Sequence, residues 1–546
     1  MPNYFNQVIS FFNEIHNQIL KDAKLKQQKL PEIKSFKNNL GAKFPVTPFN
    51  YINELKSIHD SPCAKQQLIT EAAKFFEGSI QVGSKKSLFN MIPQPSPEAT
   101  AAAWAATYFN VNSLMDAFGG KSLLVEQQVS RTIGRWVGWH DAMGISCSGG
   151  KITILYALKS AISRLCPASI RDGLPNNLVI LCSEGAHYCV EHVASMIGIG
   201  ATNCWRLKSD DEGKTTAGSL KLALETALNK GKKIAAIICC GGTTINFNCE
   251  DTVTIHTVID QFIVENKLNY RPYLHLDSVI GWLFFSLMNQ SKDQLTTKVN
   301  NDTIAKKFQI VLKRFQALDK FDSFGVDFHK NGLCPYSSSF FISKDCRFMD
   351  ELGDGSYRYS KQDFQYGNLR AYRYTLENSR SSHGILSSWV NLKSKGRLGM
   401  GAYLISLYQS RFNLEKKMQT ISRLSVLNGK TLGWEIVFDI NFSTHIVNIF
   451  GDQHKTKTNF IIYCWEISNL GYDIPFFSIV PNYRINNQRD RVTTGFLFYP
   501  MKLLSEDEWL DILGQLELLI NKFEYKSQQE QQNIAQKTTK FEAPIR

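Results

Sequence analysis

Lys330 closes the run Asp327-Phe328-His329-Lys330, and further upstream Asp277 leaves the apolar run His275-Leu276-Asp277-Ser278-Val279. A nucleophilic lysine needs a shielded setting and a neighbour that lowers its pKa, and Phe328 and His329 offer both. A carboxylate at the end of a buried strand can hold a protonated ring nitrogen. An amine for a Schiff base, an anion for a pyridine nitrogen, a cradle for phosphate and a stacking surface are together what pyridoxal 5′-phosphate asks of a protein. Alone, Asp277 reads more simply as a strand-end aspartate capping a turn. The other features reverse that preference.

Ser146-Cys147-Ser148-Gly149-Gly150-Lys151 precedes the apolar stretch Ile152 to Ile162. Small residues before a helix start expose backbone N–H groups and aim the positive dipole end at a phosphate. Ordinary helix starts use the same residues, and the Gly-Lys-Ser/Thr ending of a nucleotide P-loop is absent. His187, in Glu184-Gly185-Ala186-His187-Tyr188, could stack on a cofactor ring and meet a substrate carboxylate. The rival reading is a metal shared by His187, Glu191 and His192, but that spacing misses the inverted zinc motif by one residue, and no metal is expected. Gly241-Gly242-Thr243-Thr244 fits either a tight turn or a cofactor contact.

These residues need a scaffold that brings strand ends together. Leu178-Val179-Ile180-Leu181, Ile234 to Ile238 and Tyr273-Leu274-His275-Leu276 read as buried strands, with amphipathic stretches Ser219 to Leu228 and Val253 to Val264 between them. That alternation predicts an α/β domain with a mostly parallel sheet over residues 96–385, with ligands at the carboxyl ends of its strands. Residues 1–95 read as a polar helical cap or dimerisation arm, with Phe11, Ile15 and Ile19 at helical spacing. Pro93, Pro95 and Pro97 mark its boundary. Residues 386–525 read as a smaller α+β domain: a helix from Met400 to Leu424, strands at Thr444 to Phe450 and Phe460 to Trp465, and a helix from Glu506 to Phe523. Residues 526–546 read as a polar tail.

The 546 residues, 43% hydrophobic and 20% charged, suit a large catalytic domain with smaller ones. The formal charge of +13 raises nucleic acid as a partner. The chain lacks an aromatic-interleaved basic stripe, and runs such as Lys21-Asp22-Ala23-Lys24-Leu25-Lys26 read as a solvated helix face, so no nucleic-acid partner is expected. Twelve cysteines without a Cys-x-x-Cys pair suggest reduced thiols. The opening residues lack a secretory pattern, and no apolar run nears the roughly 18 residues of a membrane span. A soluble cytoplasmic protein is expected.

In their order and spacing, Ser148-Gly149-Gly150, Ala186-His187-Tyr188, Gly242-Thr243-Thr244, His275-Leu276-Asp277 and Asp322-Ser323 through His329-Lys330 resemble the group II pyridoxal-phosphate-dependent amino-acid decarboxylases, relatives of the glutamate and aromatic amino-acid enzymes. The likeness runs from about Phe89 to Arg380. It implies a fold type I, PLP-dependent transferase-like large domain in a homodimer with active sites near the subunit interface. It makes Lys330 the Schiff-base lysine, Asp277 the pyridinium partner and His187 the stacking residue. Val279 would support the opposite ring face, with Gly149, Gly150, Lys151, Ser323 and His329 around the phosphate. Thr244 and Asp251 match positions near the ring and Asp277. A mobile loop after the lysine would carry a tyrosine that protonates the substrate carbon, with Tyr359 the first candidate and Tyr357 the second. Departures are Lys151 for a phosphate-binding hydroxyl, Phe328 for proline, Asn331 for tryptophan and Ser278 for alanine, and they bear on substrate class more than on chemistry.

The reading that follows is decarboxylation of an L-amino acid to its amine and CO2. Alternatives are a carbon–carbon lyase or an oxidative deaminase on the same scaffold, either giving an aldehyde, or a non-catalytic scaffold. Which amino acid is used stays open.

Overall fold

A computed structural model describes residues 2–29, 51–58, 60–76, 79–289, 299, 301–470 and 474–529. Its main sheet has seven strands, β1 (Met143–Cys147), β2 (Leu178–Ser183), β3 (Cys204–Leu207), β4 (Lys233–Cys240), β5 (Tyr273–Asp277), β6 (Ser323–Asp327) and β7 (Ser339–Ser343), in the order β1-β7-β6-β5-β4-β2-β3. From β6 to β3 every pairing is parallel, while β7 runs antiparallel to both β6 and β1. Successive residues of β2 feed two cores: Val179 and Leu181 enter one apolar cluster, Leu178, Ile180 and Cys182 the other. A strand buried on both faces needs apolar residues at both parities, which is why these segments read as unbroken runs. The helices Ala217–Asn229 and Thr252–Glu265 lie in the crossovers, as the sequence periodicity predicts.

The proline-rich boundary ends in a helix start. Ser96 Oγ accepts from Ala99 N at 3.2 Å, and Pro97 opens the helix Pro97–Tyr108, where its missing N–H costs nothing. The helix His383–Met418, with Gly396 at φ 61°, leads to a four-stranded sheet ordered β10-β11-β9-β8, from β8 (Leu424–Val426), β9 (Ile436–Ile440), β10 (Ser478–Arg484) and β11 (Val492–Phe498). Two expected strands are helices instead, Thr444–Phe450 and Gln453–Leu470. Phe460 to Cys464 are all buried, so burial on several sides erases the polar face that would have shown a helical period. The helix Glu506–Gln529 runs past the expected start of the polar tail at 526, and residues 530–546 lie outside the described residues. Among the described residues no helix is long and apolar enough to cross a membrane.

One buried ion pair ties the end of β1 to the chain after β7. Arg380 Nη1 lies 2.7 Å from Glu126 Oε1, which also accepts from Ser146 N at 2.7 Å, and Arg380 donates to the carbonyls of Ser113 and Ser146 at 3.1 Å. Removing one partner strands the other charge in the core. Glu126→Ala is expected to cost about 3–5 kcal/mol in urea unfolding, and an unchanged midpoint would contradict this account of the pair.

Candidate active site

Parallel pairing sets the site. Asp277 stands opposite Gly325, so the carboxyl ends of β5 and β6 lie side by side, and the chain leaves β6 into the short helix Phe328–Asn331. Three residues along, that turn brings Lys330 Nζ to 3.2 Å from Asp327 Oδ2, with His329 Nε2 3.5 Å from the same oxygen. Ser339 Oγ donates to Asp327 Oδ1 at 2.5 Å, and the Asp327 side chain is 1% exposed. Ser338 N donates to His329 Nδ1 at 3.3 Å, which directs the Nε2 proton at the carboxylate. The His329 ring packs against Tyr336 with centroids 4.4 Å apart. Sequence reasoning quoted Asp327 without giving it a part; its place one helical turn before Lys330 was the available signal.

Asp277 Oδ1 is buried and has no hydrogen-bond partner among the described residues. Burial, reinforced by Asp327 and opposed by Lys330 and by a bond from the Val279 backbone N–H, raises its pKa from 3.8 to about 6. A buried carboxylate oxygen without a donor marks a place where a donor belongs.

The turn Gly149-Gly150 opens the helix Gly150–Leu165. A Cβ on Gly150 would stand 2.9 Å from Val279 Cγ1 and 3.2 Å from Asp327 Oδ2, whereas one on Gly149 would point into open space. Lys151 leans away across the next segment, with Nζ 2.9 Å from His192 Nδ1 and 5.7 Å from the centre of the Tyr188 ring. His187 leaves the end of β2. Its ring lies 4.3 Å from Tyr188, and its Nδ1 accepts from Cys189 N at 3.3 Å. Burial first, then the charges of Lys330, Lys151 and Arg206, lower its pKa to about 4, so the imidazole is neutral at ordinary pH. Thr244 belongs to the loop after β4, which approaches so closely that a Cβ on Gly281 would sit 1.8 Å from Gly241 O. Gly241 N donates to Asp277 O at 2.8 Å, tying that loop to the end of β5.

One expectation needs correction, and two others gain partners that the sequence does not show. Ser323 begins β6, at the end opposite Lys330, and its hydroxyl meets His275 Nδ1 at 2.8 Å, so the fold does not bring it to the Gly149-Gly150 turn. Asp251 caps the helix Thr252–Glu265, accepting from Val253 N and Thr254 N at 3.1 and 3.3 Å. Tyr359 donates to Arg370 O at 2.8 Å and packs on Tyr374, while the Tyr357 hydroxyl is bonded to Asp363. Neither phenol is free to deliver a proton in this conformation. As for the metal alternative, Glu191 is paired with Arg206 and His192 faces Lys151.

The four-stranded sheet also reaches this edge. Glu184, three residues before His187, takes Arg484 Nη1 at 3.2 Å from the end of β10 and Arg489 Nη2 at 2.8 Å from the loop that follows, and Ser209 N and Oγ at 2.9 Å.

Fold and site together define an α/β protein with a lysine, an aspartate with one unpartnered oxygen and a glycine turn gathered at the carboxyl ends of parallel strands. Residues 50–298 match the conserved-domain model of the pyridoxal-dependent decarboxylases. It is 23% identical to glutamate decarboxylase of Drosophila melanogaster over 244 residues, 43% of this chain and 46% of that protein. It is 30% identical to an acidic amino acid decarboxylase of Xenopus tropicalis over 170 residues, 31% of each. These alignments thus span about a third to a half of the curated relatives' own length. Mouse CSAD superposes with a TM-score of 0.71 at 16% identity, covering 94% of this chain and 98% of that one. A tryptophan decarboxylase of Catharanthus roseus gives 0.70 at 12%, covering 96% and 99%.

The residues fit the family's cofactor. Asp277 Oδ1 lacks the donor that a pyridinium N–H would be, and the bare Gly149-Gly150 turn leaves room and backbone N–H groups for a phosphate. Without the cofactor, the raised pKa of Asp277 is a cost. The folded state holds the proton more tightly than the unfolded one, so stability falls as pH rises through about 4 to about 6. Asp277→Asn is therefore expected to stabilise the cofactor-free protein above pH 6 by on the order of 2–3 kcal/mol, with the gain fading below pH 4. Urea unfolding at pH 4 and pH 8 checks this; an equal effect at both would refute the assignment of the strain to this carboxyl.

Proposed function

We propose that the protein decarboxylates an L-amino acid to the corresponding amine, with pyridoxal 5′-phosphate as cofactor. The observation that carries this reading is the unpartnered Oδ1 of Asp277 beside the Lys330–Asp327 pair, at the ends of adjacent parallel strands. Lys330 would attach the cofactor, Asp277 would hold its ring nitrogen protonated, and Gly149, Gly150 and His329 would bound its phosphate, with Lys151 at the rim. His187 and Val279 would face its two sides, with Thr244 at the edge. When bound, the cofactor supplies an electron-poor ring that accepts the electron pair released as the carboxylate departs as CO2.

The chain's own groups do the rest. Asp327 Oδ2 holds the Lys330 ammonium at 3.2 Å and is the nearest acceptor for the proton the amine must lose to act as a nucleophile, with His329 Nε2 3.5 Å from the same oxygen. His187, uncharged and beside Lys330 in charge influence, can present an imidazole to a substrate without competing for its carboxylate as a cation would. Tyr359 would protonate the substrate carbon only once its bond to Arg370 O opens, a motion the glycines at 353 and 355 suit. The aromatic row Tyr4, Phe5 and Phe12 packs on Tyr108 and Trp104 yet stays 43–58% exposed, which supports a homodimer arm. The free state of all twelve cysteines accords with a cytoplasmic location.

Incubating the cofactor-loaded protein with a pool of amino acids and reading products by mass spectrometry tests the proposal. One amine is expected, and Lys330→Ala should lower its formation by at least about 1,000-fold. Amine production at near-normal rate by that variant would overturn the role of Lys330, and an aldehyde product would move the chemistry to the oxidative or lyase alternative.

A further inference from the structure

The loop that carries His187 has no regular structure between the end of β2 at Ser183 and the helix Cys189–Met196, yet one side chain from the neighbouring strand holds it at two points and the helix after it at a third. Arg206, in β3 and in register with Cys182, sends Nη1 to Glu184 O at 2.7 Å and to Ala186 O at 2.8 Å. Its Nε and Nη2 meet Glu191 Oε1 and Oε2 at 2.7 and 2.8 Å, a bidentate pair. Four of its five N–H donors are spent on residues that bracket His187 on both sides in sequence.

Resting on the reading of His187 as the residue that stacks on the cofactor, we infer that Arg206 is a positioning residue, whose planar fork sets the height and tilt of the His187 ring over the ligand. The fork explains why an arginine is needed there. A lysine keeps the charge but is a single point donor and cannot span two carbonyls and a carboxylate at once. The helix Cys189–Met196 alone cannot do this, because Glu191 fixes only its first turn and leaves Ala186 and His187 outside it. Charge and geometry are thereby separable. Arg206→Lys preserves the positive field at His187 and removes most of the fork.

The test uses Arg206→Lys, His187→Ala and the double variant of the full chain, with added pyridoxal 5′-phosphate. The readouts are the visible circular dichroism of the bound cofactor, its dissociation constant and the thermal midpoint. Each single variant is expected to alter the dichroism and to weaken cofactor binding by about 2- to 10-fold, the size of a lost ring-stacking contact. The double variant is expected to bind no more weakly than His187→Ala, since residues acting through one contact are not additive. Losses that add, or a lowered thermal midpoint with wild-type dichroism and affinity in Arg206→Lys, would overturn the inference and leave Arg206 a structural residue. Failure of the unaltered protein to bind the cofactor would overturn the functional reading and this inference with it.

Discussion

The parallel pairing of β5 with β6 is the constraint from which the site follows. Register places Asp277 opposite Gly325, so the two strands end together and release two carboxylates, Asp277 and Asp327, within each other's electrostatic influence. One is satisfied by a lysine, a histidine and a serine. The other is left with an empty oxygen. This asymmetry makes the place chemically specific, because a second cationic donor is wanted at one point and excluded at the other.

Asp327 also constrains what can sit on the Gly149-Gly150 turn. An anion brought there meets a buried carboxylate close by, and in a site of low polarity such a pair repels strongly. The groups that offset the charge, Lys330 and His329, are those the proposed chemistry uses. Attaching a ligand through Lys330 therefore alters the local charge balance along with the covalent structure. Lys151 stands outside that balance, paired with an imidazole rather than a carboxylate.

Much of this was legible in the sequence, for physical reasons. Strands buried on both faces write themselves as apolar runs, so β2, β4 and β5 were found, and the residues just past their ends could be named. Lys330, Asp277, His187 and Gly150 converge because parallel strands bring such ends together. Ser323 misled because motif order says nothing about which end of a strand a residue occupies, and the five-residue strand β6 separates it from Lys330. Asp251 caps a helix, a role that uses the same residue type as a ligand contact and leaves no mark of its own in the sequence. Tyr359 was placed by loop position, but its hydroxyl partner is a carbonyl 11 residues away, invisible to local pattern. The helices at 444–450 and 453–470 were lost because burial on several sides leaves no polar stripe. Arg206 was missed for a related cause: its worth lies in backbone carbonyls, which carry no letter in a sequence.

The two arginines that reach Glu184, from the end of β10 and from the loop after it, give the small sheet a different standing from that of an appendage. Glu184 is at once the anchor for Arg484 and Arg489, through its carboxylate, and for Arg206, through its carbonyl. The contact between the two sheets and the hold on the loop that carries His187 thus share one residue. Anything that pried the small sheet from the large one would also loosen that loop, without touching His187.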